Sequence, residues 1–192
     1  MITGFVGVIE NNPDAPISGN GKTGSMVGVS YLDHLNKNKR IWSNFETDYS
    51  EKICGLQEMI DTIGDEPQED LIICVTEMQR ILNSIGSSTK QVRFIENFAS
   101  QLRKLKVDLY YDTQRFKSIH LRLRNFTDII FVPKKYHFDY TPCNYNLCKK
   151  PHLVCLYVYK PTGYTKDVIR FNMEMVGQHY NSDEICMDVL TI

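Results

Sequence analysis

Little in this 192-residue chain marks a specialised environment. No apolar run approaches the roughly 18 residues of a membrane-spanning helix, so no span is expected. The opening residues, Met1-Ile2-Thr3-Gly4-Phe5, lack the positive charge of a secretory leader, and a cytoplasmic location is expected. Internal repeats and low-complexity stretches are missing too. With 42% hydrophobic and 23% charged residues, the composition excludes a disordered chain. Six cysteines without a leader read as thiols of a reducing compartment, not as a disulfide framework.

A strong excess of either charge is also missing, since the net charge is −1. The balance is nevertheless uneven. Between Gln101 and Lys135 nine Lys/Arg stand against three Asp, while much of the acid lies between Glu46 and Asp70. Such a segment can face a polyanion, a nucleotide or an acidic subunit, or be simply the solvated face of a helix.

What is present is an alternation of apolar runs and helical periods, the mark of an α/β domain with a mainly parallel sheet flanked by helices. Strands are expected at Ile2–Ile9, Arg40–Phe45, Leu71–Val75, Val107–Tyr111 and Phe126–Val132. Helices are expected at Thr23–Leu35, Glu51–Ile63 and Gln91–Lys106. Lys134–Pro151 reads as a long loop, and Leu153–Tyr159 with Asp167–Met173 as an antiparallel pair. We therefore expect a core over residues 1–135 and a β-rich extension of the same domain over 136–192.

Between the first strand and first helix stands Gly19-Asn20-Gly21-Lys22-Thr23-Gly24. Glycines let backbone N–H groups turn in on phosphate oxygens, and the following helix aims its N-terminus at the same charge. Lys22 can reach terminal phosphates, and the Thr23 hydroxyl suits Mg²⁺. A glycine-rich turn with an incidental lysine is the plainer alternative. Pro16 stands where the full phosphate-loop pattern has a glycine.

The strand Leu71–Val75 ends in Thr76-Glu77, and Glu77 is placed to polarise water at a γ-phosphate. Thr76 occupies the position where an Asp usually holds Mg²⁺ through water; its hydroxyl can bond that water but adds no charge. In Asp108-Leu109-Tyr110-Tyr111-Asp112-Thr113-Gln114-Arg115, a glutamine ends a strand where it can sense the γ-phosphate or hold the attacking water. Arginines nearby, Arg103 and Arg115, can stabilise phosphate charge across a subunit boundary.

Taken in order, the Gly19–Thr23 loop, Ser43-Asn44-Phe45, Glu77-Met78-Gln79 and Arg103 through Arg115 resemble the FtsK–HerA superfamily of DNA-pumping P-loop ATPases. The likeness is strongest to its small viral packaging and zonular-occludens-toxin-like branches. Leu121 through Asp128 and Tyr180 through Glu184 are similar to the viral branch as well. The resemblance implies a P-loop NTPase fold with the Gln114 strand between those ending at the phosphate loop and at Glu77. It implies ATP and Mg²⁺ as cofactors, and a homo-oligomeric ring, usually a hexamer, that moves DNA. Carried over by position, Lys22 and Thr23 bind phosphate and Mg²⁺, Glu77 activates water, Gln114 is the sensor, and Arg103 or Arg115 is the arginine finger. A viral genome-packaging motor would work in the host cytoplasm or at the capsid with other assembly proteins. A catalytically weak assembly relative and a small-molecule P-loop kinase are the alternatives; no lid rich in phosphate-clamping arginines supports the kinase.

His137, Cys143, Cys148, His152 and Cys155 carry zinc-ligand chemistry, although Cys-x₄-Cys-x₃-His-x₂-Cys is not a common zinc knuckle and an ordinary loop with two core cysteines is the simpler reading. Lys134, Lys135, Tyr136, His137, Phe138, Tyr140, Tyr145, Lys149 and Lys150 interleave cations with aromatics, which suits nucleic acid or a subunit contact equally. Cys54, Cys74 and Trp42 are expected in the core.

Overall fold

The computed structural model describes residues 1–9, 21–64, 66–83, 89–143, 148–160 and 163–180. At its centre is Leu71–Val75, five consecutive fully buried residues. Alternation along this strand sends Leu71, Ile73 and Val75 to one face and Ile72 and Cys74 to the other. Burial on both faces, at about 1.5–3 kcal/mol per large apolar side chain, is what places such a strand inside a parallel sheet.

The strands are β1 (Ile2–Val8), β2 (Arg40–Ser43), β3 (Lys52–Ile53), β4 (Leu71–Val75), β5 (Asp108–Arg115), β6 (Ile129–His137), β7 (His152–Lys160) and β8 (Gly163–Asn172). They form one sheet in the order β3-β2-β4-β5-β1-β6-β7-β8. The pairs from β3 to β6 are parallel, and β6-β7-β8 is an antiparallel meander. The β5 strand, which carries Gln114, lies between β1 and β4, as the resemblance implies.

Helices α2 (Leu56–Ile63), α4 (Thr89–Lys104) and α5 (Leu121–Phe126) supply Leu56, Met59, Phe98, Leu102 and Leu123 to the first face, with Leu109 and Tyr111 of β5. The second face takes Met26 and Val27 of α1 (Lys22–Lys37) and Val176 of α6 (Met173–Gly177), against Phe5, Ile72, Tyr110, Phe131 and Leu156. Helix α3 (Met78–Asn83) follows β4 directly. Trp42, Cys54 and Cys74 are buried. Helix α1 stops where Asn38 turns left-handed (φ 52°) and its N–H caps the Asp33 carbonyl.

Several boundaries differ from the sequence reading; the strand expected from Phe126, for one, begins at Ile129 because Phe126 ends α5. The helix expected from Glu51 begins at Leu56, because Lys52 and Ile53 pair with Trp42 and Ser43 as an edge strand. Strand β5 continues past Tyr111 to Arg115, held by β1 through Val6 opposite Thr113 and Val8 opposite Arg115. Lys134 to His137 are the end of β6 and not loop, since each residue has a partner on β7. Loop geometry was expected there because the period is weak; the cross-strand ladder overrides it.

Candidate functional site

The C-terminal ends of β1, β4 and β5 converge on the first turn of α1. Gly21 precedes that helix in a left-handed conformation (φ 78°), which glycine adopts without a Cβ penalty. Its carbonyl accepts both the N–H (2.8 Å) and the hydroxyl (2.5 Å) of Ser25, fixing the helix start. Lys22, the first helical residue, is buried at 8% exposure. Burial lowers its pKa, opposed by the charges of Asp112 and Glu77. Gly19 and Asn20 lie outside the described residues, as does Pro16.

The focus of the site is Asp112, which the reading of the sequence left without a role. On β5 it follows Tyr110 by two residues, so its side chain projects to the α1 face. At 1% exposure its carboxylate accepts three hydrogen bonds. Thr23 Oγ1 donates to Oδ2 at 2.5 Å, Thr76 Oγ1 donates to the same oxygen at 2.9 Å, and the Glu77 N–H donates to Oδ1 at 2.8 Å. A single buried carboxylate thus joins the helix that carries Lys22 to the end of the strand that carries Glu77. Thr76 does not stand alone as an uncharged substitute: its hydroxyl orients the charge that β5 provides.

Asn44, at the end of β2, fixes Thr76 in turn. Its Oδ1 accepts the Thr76 N–H at 2.8 Å, and its Nδ2 donates to the Thr76 carbonyl at 3.3 Å. Glu77 then leaves the strand at φ 55°, a left-handed conformation that costs a non-glycine residue about 1–2 kcal/mol. The turn frees its half-buried carboxylate from the sheet, where Gln79 Nε2 donates to Oε2 at 2.6 Å and Arg80 Nε lies 3.3 Å from the same atom. Burial, then the nearby charge of Asp112, raises the Glu77 pKa; Arg80 and Lys22 pull it back.

Gln114 and Arg115 end β5, both half-buried; alternation puts Gln114 on the face of Asp112 and Arg115 on the opposite face. Gly7 on β1 makes the close approach of β5 possible: a Cβ there would sit 2.7 Å from the Gln114 carbonyl oxygen and 3.5 Å from Lys22 Cδ. Arg103 is not brought to the site. At the other end of the sheet its guanidinium meets Asp128 at 3.1 Å and lies over the Phe126 ring at 5.0 Å, and Asp128 also accepts the Ile2 N–H. Other cations of the basic segment are paired within the chain as well, Lys106 with Glu69 and Lys134 over Tyr157.

Residues after β8 roof the site. A Cβ at Gly24 would meet Met173 Cε at 1.8 Å and Tyr180 Oη at 3.0 Å. Burial, and the charge of Asp112 after it, raises the Tyr180 phenol above its ordinary range.

The donors suit the groups a phosphate loop implies. Thr23, Thr76 and Asp112 offer only oxygens, one of them a buried carboxylate, which is the chemistry of a hard divalent cation. Lys22 and the amino end of α1 offer positive charge next to it.

The fold is similar to a crystal structure of the N-terminal domain of zonular occludens toxin from Neisseria meningitidis. The TM-score is 0.52 at 16% identity, over 94% of this chain and 98% of that one. This is a P-loop NTPase-like α/β fold. No protein-family model and no curated protein matches the chain. Among the described residues no helix is long and apolar enough to cross a membrane.

Proposed function

We propose that the chain is an ATP hydrolase of the P-loop type whose turnover drives DNA movement. In this reading it works as a homo-oligomeric ring in viral genome packaging or assembly. The observation that carries the enzymatic part is the buried carboxylate of Asp112, bonded at once to Thr23, Thr76 and the Glu77 N–H. Lys22 would neutralise the terminal phosphates, its burial strengthening each such contact. Thr23 and Asp112 would hold Mg²⁺, with Thr76 keeping the Asp112 oxygen aimed. Mg²⁺ held there would supply charge neutralisation for the phosphates. Glu77, its basicity raised by burial, would orient and deprotonate the attacking water. Gln114 would sense the γ-phosphate, and Arg115, on the opposite face of β5, is the arginine we assign to the phosphate charge of a neighbouring subunit.

DNA as cargo, the ring and the packaging role rest on the resemblance in the motifs and on the exposed aromatics Phe138 and Tyr140, which share the β6–β7 connection with the exposed Lys149 and Lys150. One observation favours a catalytically weak assembly relative instead: Met173 and Tyr180 lie against Gly24, where a phosphate-binding turn needs room. The deciding experiment is ATP hydrolysis with and without double-stranded DNA, at concentrations where light scattering reports the assembly state. Stimulation by DNA, lost in Lys22→Ala and Glu77→Gln, supports the motor. A ring without turnover supports the assembly relative, and phosphate transfer to a small acceptor without DNA supports a kinase.

A further inference from the structure

The β6–β7 hairpin ends in a cluster that shares no residue with the phosphate site. In the antiparallel register His137, the last residue of β6, faces His152, the first of β7. Their rings lie 5.0 Å apart between centroids. Beyond His137 the chain reverses at once. Tyr140 adopts φ 62°, its N–H donates to the His137 carbonyl at 2.9 Å, and the His137 N–H donates to the Thr141 carbonyl at 2.9 Å. Asp139 accepts from both the N–H and the hydroxyl of Thr141, which fixes the turn. The returning strand pairs Pro142 with Tyr136, and the Cys143 N–H donates to the Lys135 carbonyl at 3.0 Å. Cys143 is thereby delivered, buried, beside the two histidines; its Sγ is 3.1 Å from His152 Nε2.

Cys148 completes the group. One donor atom from each of His137, Cys143, Cys148 and His152 lies within 4.8 Å of all the others. Cys155, the fifth candidate of the sequence, is not in this group; it sits within β7 opposite Lys134 and Arg170. Tetrahedral zinc, with bonds of about 2.3 Å to sulfur and 2.0–2.1 Å to nitrogen, holds its donors about 3.3–3.8 Å apart, so small side-chain rotations close the set. A second sign is that His137 Nδ1 is buried and has no hydrogen-bond partner among the described residues. A buried ring nitrogen without a partner is costly unless something occupies its lone pair or takes its proton.

We propose that His137, Cys143, Cys148 and His152 form a structural zinc site that ties the β6–β7 hairpin. Two thiolates and two neutral imidazoles fill a tetrahedral shell and leave no position for substrate, so the role is to hold the fold. The loop between the ligands carries Phe138, Tyr140, Lys149 and Lys150, all exposed, and the metal would fix that loop against the sheet. The site does not depend on nucleotide chemistry.

The test uses the full chain, expressed with added zinc and purified without chelator. We expect one zinc per chain by elemental analysis, retained in Cys155→Ala and lost in Cys143→Ser and Cys148→Ser. Metal-free wild-type protein titrated with Co²⁺ should develop the visible bands of a tetrahedral cobalt site with thiolate-to-cobalt charge transfer. This second measurement needs no variant to fold. Removing zinc should lower the melting temperature, and adding it back should restore it. Protein that holds no zinc and shows no thiolate–cobalt band would overturn the proposal. So would a Cys143–Cys148 disulfide in protein prepared under reducing conditions, or a full zinc complement in Cys148→Ser.

Discussion

Replacing Asp112 by Asn separates its charge from its shape. The carboxylate accepts three hydrogen bonds at 2.5, 2.9 and 2.8 Å. An asparagine of the same size can keep all three, its oxygen accepting the fixed Glu77 N–H and its amide donating to the Thr23 and Thr76 hydroxyls, which rotate to accept. Bonds to a charged group are worth about 1.5–3 kcal/mol each and neutral ones about 1. The loss is partly offset because the buried charge no longer has to be desolvated. We therefore expect Asp112→Asn to cost at most about 2 kcal/mol in a urea melt. The effect on turnover should be far larger. Without this carboxylate the Mg²⁺ requirement should rise about 10–100-fold, and hydrolysis at saturating Mg-ATP should fall about 10²–10³-fold. The assay is phosphate release against Mg²⁺ concentration, on protein whose melt shows it folded. Moving the charge back across the strand gap in Thr76→Asp/Asp112→Asn should recover at least about tenfold of the lost rate, because the two side chains already touch. Wild-type turnover and Mg²⁺ dependence in a folded Asp112→Asn protein would refute the reasoning.

Glu77→Gln should reduce hydrolysis about 10²–10⁴-fold while raising the melting temperature at neutral pH. The sign follows from the raised Glu77 pKa: stability is fully present below the ordinary glutamate range and lost as pH rises through the higher folded value, and glutamine escapes that loss. For the same reason the acid limb of the wild-type rate profile should lie above the ordinary glutamate range, and in Asp112→Asn it should move to lower pH. Gly4→Ala should destabilise by about 1–3 kcal/mol in chemical unfolding, because its Cβ would sit 2.7 Å from the buried Tyr111 Oη, which is bonded to Thr127 at 2.9 Å. Met173→Ala should unroof Gly24 and tighten nucleotide binding in a fluorescent-nucleotide titration, at a cost in stability of about 1–2 kcal/mol because Met173 is partly buried against the second core face.

The sequence by itself determined the elements whose cause is local. The apolar run Leu71–Val75 makes a strand buried on both faces wherever it lies, and Gly21-Lys22-Thr23 opens a helix with a lysine at its positive end. Glu77 at the end of that strand was legible for the same reason. Tertiary structure decided what depends on residues far apart meeting. Asp112 lies 89 residues from Thr23 and 36 from Thr76, and no spacing along the chain pairs them. They meet because β5 inserts between β1 and β4 in a register that pairs Val75 with Tyr111, so that Asp112 lies one step beyond the end of β4, beside Thr76. A hint was available: Asp112 directly follows the apolar run Leu109-Tyr110-Tyr111 and stands two residues before Gln114, so both share a face. Arg103 shows the converse, a motif residue that folding carries to the far end of the sheet, where Asp128 and Phe126 hold it. The His137 and His152 pairing is likewise a matter of hairpin register, which a one-residue slip would undo by turning one ring to the opposite face.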